Sequence, residues 1–130
     1  MKDCLFCKIC EGSIPSSTIY EDKLIKVIMN INPVSNGHLL IIPKNHYTNL
    51  LDLDKEVLTH SIEVVKDTIY PTLKDKLGCE GLTLAQNNEL GQEIKHFHIH
   101  LIPRYKDDNI EFPTAQDIKE VKEIFKKLID

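Results

Sequence analysis

The stretch Lys95-His96-Phe97-His98-Ile99-His100-Leu101-Ile102-Pro103 decides how the rest of the chain is read. Histidine and apolar residues alternate through it, a period of two that belongs to an extended strand. In a strand the three imidazoles leave one side, while Phe97, Ile99 and Leu101 leave the other. A helix would scatter them. The apolar partners can anchor the strand on a core, leaving a row of imidazoles about 6 to 7 Å apart on the sheet surface.

Working outward, Lys23 to Met29 is rich in Leu, Ile and Val and predicts a strand, followed by the polar, Pro- and Gly-bearing connection Ile31 to Gly37. His38 to Ile42 predicts a second strand, stopped at Pro43, and Leu82 to Gln86 a third. Between them, Leu58, Ile62, Val65, Ile69, Leu73 and Leu77 recur every three or four positions, so one long helix is expected over Asp54 to Leu77. Asp52 or Asp54 can cap its start and Gly78 its end, while Pro71 demands a kink or a split. Ile118, Val121, Ile124, Phe125 and Leu128 predict an amphipathic C-terminal helix over Ala115 to Leu128. Strands, helix, strands and a terminal helix, without βαβ alternation, indicate an α+β domain with a mainly antiparallel sheet, one domain spanning 1–130.

Lys and Arg number 16 against 20 Asp and Glu, a formal charge of −4 with both signs interspersed, so the basic footprint of a nucleic-acid binder is missing. No segment reaches the roughly 20 apolar residues of a membrane span, and the first ten residues do not read as a secretory signal. A cytoplasmic protein is expected. Cys4, Cys7, Cys10 and Cys79 should then stay reduced, which favours metal binding or burial over a disulfide framework.

Imidazole, with an unperturbed pKa near 6.5, can attack phosphorus in its neutral form while a neighbouring ring donates a hydrogen bond. His98, flanked on both sides, is the expected nucleophile toward an α-phosphate, and His100 the expected phosphate donor. Two other readings stay open. His-x-His on a strand can ligate a catalytic metal and its water, although no Asp or Glu soon after His100 completes such a site. The row can also hold a nucleotide without turning it over.

The run His96-Phe97-His98-Ile99-His100-Leu101-Ile102 resembles the signature of the histidine triad family, His-φ-His-φ-His-φ-φ with φ apolar. The resemblance extends to Cys4-Leu5-Phe6-Cys7-Lys8-Ile9, Ile14-Pro15-Ser16, Asn32-Pro33-Val34, Gly37-His38, Ile42-Pro43-Lys44, Gln86-Asn87-Asn88 and Gly91-Gln92, and so covers residues 4 to about 105. It implies a homodimeric α+β fold with five antiparallel strands per subunit in a continuous sheet. The implied activity is hydrolysis of purine nucleoside phosphoramidates or related adenylates through a nucleotidyl-histidine. A dinucleoside polyphosphate hydrolase is the alternative.

Residue by residue, the resemblance implies His98 as nucleophile and His100 and His38 on the phosphate side. It places Asn87, or Asn88 in its stead, near the ligand, and Gly91, Gln92 and Glu93 along the phosphate. It further implies that His46 and His96 join Cys4 and Cys7 in a Cys₂His₂ set for structural zinc, with no catalytic metal. The chain departs from the family pattern in four places, one of them the segment Asn88-Glu89-Leu90, which is shorter than usual before Gly91. Glu93 stands where a hydroxyl residue is usual, Asn30 where an acid usually meets the ribose, and Lys95 where an apolar or aromatic residue usually precedes the triad. Val27, Ile28, Ile9 and Ile19 are candidate walls for the base, and His60 has no partner visible in the sequence.

Overall fold

The computed structural model describes residues 3–116 and 120–130. Its elements run α1 (Leu5–Glu11), β1 (Thr18–Glu21), β2 (Ile25–Met29), β3 (Leu39–Pro43), α2 (Lys55–Val64), a π-helical turn (Val65–Ile69), α3 (Tyr70–Leu77), β4 (Gly81–Ala85), β5 (Ile99–Arg104) and α4 (Val121–Ile129). The five strands form one antiparallel sheet in the order β1-β2-β3-β5-β4. The fold is α+β, as expected. β1 and α1 escaped the reading of hydrophobic pattern, because each is short and β1 is mostly exposed.

Alternation along the strands gives the sheet two apolar sides. Ile25, Val27, Leu39, Ile41, Phe97, Ile99 and Leu101 pack with Val57, Val64, Val65, Ile69 and Leu73 of the helical segment. Ile28, Leu40 and Ile42 pack with Phe6 and Ile9 of α1 on the other side. Val27 therefore belongs to the helix-side core and is no base wall. Ile19 is exposed on the edge strand.

Asp54, not Asp52, caps α2 by accepting from the Glu56 N–H (3.3 Å); Asp52 instead accepts from the Thr48 and Asn49 N–H groups. The break expected at Pro71 takes the form of the π turn just before it, with Tyr70 N–H bonding to the Val65 carbonyl. A π turn uses one extra residue, so the buried stripe keeps a spacing of four through Val57, Ser61, Val65, Ile69 and Leu73. Ile62 and Leu77, expected in that stripe, are turned outward. Gly37 (φ +88°) occupies the β2–β3 connection, where a Cβ would come 2.6 Å from Leu77 Cδ1.

Two further boundaries are corrected. β5 starts at Ile99, so His96 and His98 precede the ladder in an irregular stretch that still preserves their side. The C-terminal helix is Val121–Ile129, and Ile118 lies outside the described residues. The apolar residues of α4 are exposed, not packed on the core of their own chain. No helix among the described residues is long and apolar enough to cross a membrane.

Candidate active site

β3 and β5 bring three histidines together. Leu40 pairs with His100 across the two strands, and His38 lies immediately before β3. His38 Nε2 lies 3.0 Å from His100 Nδ1, and the His98 and His100 rings sit 5.2 Å apart. The backbone sets their tautomers. His98 Nδ1–H donates to the His96 carbonyl (2.8 Å), which leaves Nε2 with a free lone pair. The Val34 N–H donates to His38 Nδ1 (3.1 Å), so the proton of neutral His38 is on Nε2 and points at His100 Nδ1. His100 then carries its own proton on Nε2, a donor for a neighbouring anion.

Burial lowers the pKa of His38 and of His98, opposed at His98 by its bond to the His96 carbonyl and then by the Glu93 charge. His100 is pushed down to about 4 by burial first, and then by His98 and His38. At neutral pH the row is uncharged: one nucleophilic nitrogen beside donors. Phe6 of α1 stands edge-on to His98 at 5.0 Å and to His96 at 5.8 Å, walling the row on the side away from the helical core. Pattern reading passed over Phe6, although its place between Cys4 and Cys7 ties it to the same turn.

The remaining candidates divide by what their side chains are already doing. Asn88 accepts from the Leu50 N–H (2.7 Å) and exchanges two bonds with Gln86, whereas Asn87 is exposed and its side chain bonds to no group among the described residues. Gln92 is buried, donates to the Thr48 and Ile94 carbonyls and accepts from the Glu89 N–H, so it fixes the loop before the triad. Gly91 (φ +94°) adopts a left-handed turn in that loop, and Glu93 is exposed. Asn30 Oδ1 accepts from the Asn32 N–H (2.8 Å), and its amide nitrogen lies 3.3 Å from His38 Nε2. His60, outside the site, bonds to Asp22 (2.6 Å) and clasps α2 to the β1–β2 turn.

His96 faces a different cluster. Its Nε2–H donates to the Pro43 carbonyl (2.8 Å), which turns Nδ1 toward Cys4 Sγ (3.2 Å) and Cys7 Sγ (3.5 Å); His46 Nδ1 is 3.4 Å from Cys7 Sγ. All four donor atoms lie within 4.8 Å of one another. Zinc–sulfur and zinc–nitrogen bonds of usual length at a tetrahedral angle set S···N at about 3.6 Å, close to the separations found. Burial holds His96 down to about 4, so the ring is neutral and fit to ligate. The Cys4, Cys7, His46 and His96 set expected from the resemblance is thus brought together as a site able to bind a metal.

The HIT domain family model matches residues 11–107. The chain belongs to the HIT, or histidine triad, family. It is 37% identical over 129 residues to an uncharacterized HIT-like protein of Methanocaldococcus jannaschii, covering 96% of this chain and 98% of that protein. It is 40% identical to the adenylylsulfatase HINT3 of Arabidopsis thaliana over 82% of this chain and 54% of that protein. To the adenosine 5'-monophosphoramidase HNT1 of Saccharomyces cerevisiae it is 37% identical, over 78% of this chain and 62% of that protein.

Among solved structures, a HIT family protein of Bacillus anthracis superposes with a TM-score of 0.83 at 33% identity, covering 98% of this chain and 92% of that one. A zinc-bound histidine triad protein of Mycobacterium smegmatis superposes with a TM-score of 0.80 at 32% identity, covering 89% and 85%. In this HIT chain the triad faces two ways: His100 meets His38 and neighbours His98, while His96 faces the two cysteines.

Proposed function

We propose that this HIT protein is a nucleotide hydrolase that cleaves the bond between the α-phosphate of a purine nucleoside monophosphate and an amine, a phosphoramidase-type reaction passing through a nucleotidyl-His98. The observation that carries the reading is the 2.8 Å bond from His98 Nδ1 to the His96 carbonyl, because it delivers an unprotonated Nε2 at neutral pH. Two relatives named for nucleotide hydrolysis, an adenylylsulfatase and an adenosine monophosphoramidase, support the reaction class.

In the first step the Nε2 lone pair forms a bond to phosphorus; the electron pair of the P–N bond leaves with the amine, which takes a proton from water. In the second, water attacks phosphorus and gives up a proton, and the N–P electrons return to Nε2. His100, oriented by His38, donates to the phosphate oxygens. Glu93, beside His98, favours a leaving group that departs neutral or cationic over sulfate or a polyphosphate, which supports the phosphoramidate over the dinucleoside polyphosphate. Asn87, Gly91 and Glu93 border the nucleotide, and Asn30 lies on its ribose side.

Cys4, Cys7, His46 and His96 hold structural zinc, whose chemistry there is to tie α1 to the sheet. The protein works as a homodimer in the cytoplasm, where its cysteines stay reduced. The test is incubation with adenosine 5'-phosphoramidate, an acid-free quench and intact-mass measurement of wild-type, His98→Gly and chelator-treated protein. An adenylyl adduct that is absent only in His98→Gly supports the proposal. Turnover that survives His98→Gly but stops with chelator replaces it with a metal-dependent hydrolase, and binding without turnover leaves a nucleotide-binding module.

A further inference from the structure

Lys95 stands just before the triad, yet its side chain turns back along the loop that precedes it. Its Nζ donates to the Gln92 carbonyl (2.8 Å) and to the Glu89 carbonyl (3.1 Å). The loop is closed by the Gln92 N–H bonding to the Glu89 carbonyl (3.0 Å), and by the Gln92 side chain, which reaches Thr48, Ile94 and Glu89. In a trans peptide the carbonyl and the following N–H point in opposite directions. Gathering the carbonyls of residues 89 and 92 onto one ammonium therefore turns the N–H groups of Leu90 and of Glu93 each away from that ammonium. Neither N–H donates to any group among the described residues. Both donors are unspent, point away from the ammonium, and are polarised by a cation at the other end of their peptides, which suits them to an anion.

We infer that Lys95 is a positioning residue that acts through the Gln92 and Glu89 carbonyls to aim the Glu93 and Leu90 N–H groups at the α-phosphate attacked by His98. The inference rests on the nucleotide reading above. It explains why an exposed lysine is spent on two carbonyls when water would serve them equally well. Lys95 touches neither substrate nor reacting atom.

The test compares the affinities of AMP and of adenosine for wild-type protein, Lys95→Met and Lys95→Arg, by calorimetry and by amide NMR. Adenosine lacks the phosphate, so a general loosening of the fold affects both ligands alike. In Lys95→Met the ratio of AMP to adenosine affinity falls about tenfold, the loss expected when charge-assisted bonds to phosphate are misaimed. The Glu93 amide shifts on AMP binding in wild type and much less in this variant. Tm stays within about 2 °C, as for an exposed side chain, and Lys95→Arg, which can still donate to two carbonyls, restores most of the ratio. An unchanged ratio in Lys95→Met overturns the inference, as does an equal loss for both ligands or a loss that arginine does not repair. Phosphoramidate turnover measured on the same samples judges the hydrolase reading separately: wild type that binds AMP but turns nothing over sinks that reading while the affinity ratio still decides the role of Lys95. Wild type that does not bind AMP overturns both.

Discussion

At His100 burial and two imidazole neighbours act in one direction, and the pKa falls from 6.5 to about 4. His38 and His98 are lowered as well. A group whose folded pKa lies below its unfolded value takes up a proton on unfolding, so between about pH 6.5 and 4 the unfolded chain binds more protons and stability falls as pH falls. Urea midpoints should drop from pH 7 to pH 5, and by less in His100→Gln than in wild type; equal drops in the two proteins would remove His100 from the explanation. The spacing of two told which side the triad rings occupy. It could not tell that His38 meets His100, because that contact depends on the β3–β5 register, which no local pattern encodes. The choice between Asn87 and Asn88 was likewise invisible, since both are polar and adjacent. The Leu50 N–H settles how Asn88 is used, and a prediction follows from the difference. Asn88→Ala strands donors in two loops and should cost about 1 to 2 kcal/mol in denaturant unfolding, whereas Asn87→Ala should leave stability within about 0.5 kcal/mol. Equal effects would contradict this division.

A helix of seven residues such as α1 is too short to persist by itself. It is held by Phe6 and Ile9 against the sheet, by the buried Lys26 ammonium on the Ile9 carbonyl (3.0 Å), and by Cys4 and Cys7 in the metal-fitting cluster. Chelator treatment, or Cys4→Ser, should lower Tm by several degrees and release the amides of α1 to fast exchange while those of β3 and β5 remain protected. Uniform loss of protection would mean that the cluster supports the whole sheet instead. The Cys4-x-x-Cys7 pair was readable, but its completion by His46 and His96, from distant parts of the chain, came only through family resemblance. The long helix shows the opposite balance. Its existence and both ends were legible from the stripe, Asp54 and Gly78. Its phase in the first half was not, because a period of 3.6 cannot foresee the extra residue that the π turn inserts before Pro71.

The two edges of the sheet differ in how they are defended. β1 carries an irregular register between Thr18 and Tyr20 and ends in Glu21, which bonds to Lys44, features that discourage another strand from pairing there. β4, Gly81-Leu82-Thr83-Leu84-Ala85, is regular and uncharged, with no proline to interrupt its outer row of backbone groups. Leu84 lies on the same side as Leu82, which is partly buried against the core, and is nonetheless 44% exposed. An undefended, regular edge with an apolar residue beside it is a liability in a monomer and an asset in a symmetric pair, where β4 can meet its own copy antiparallel and join two five-stranded sheets into one. The homodimer that the resemblance implies would therefore have a physical basis in β4 as well. Light scattering should give the mass of two 14.9 kDa chains, and Leu84→Glu, which sets a buried like charge on each side of the two-fold axis, should shift the protein to monomer at micromolar concentration with its circular dichroism preserved. A wild type that is monomeric at that concentration, or a Leu84→Glu variant that stays dimeric, would move the interface away from β4, and the exposed apolar stripe of α4 would be the next surface to examine.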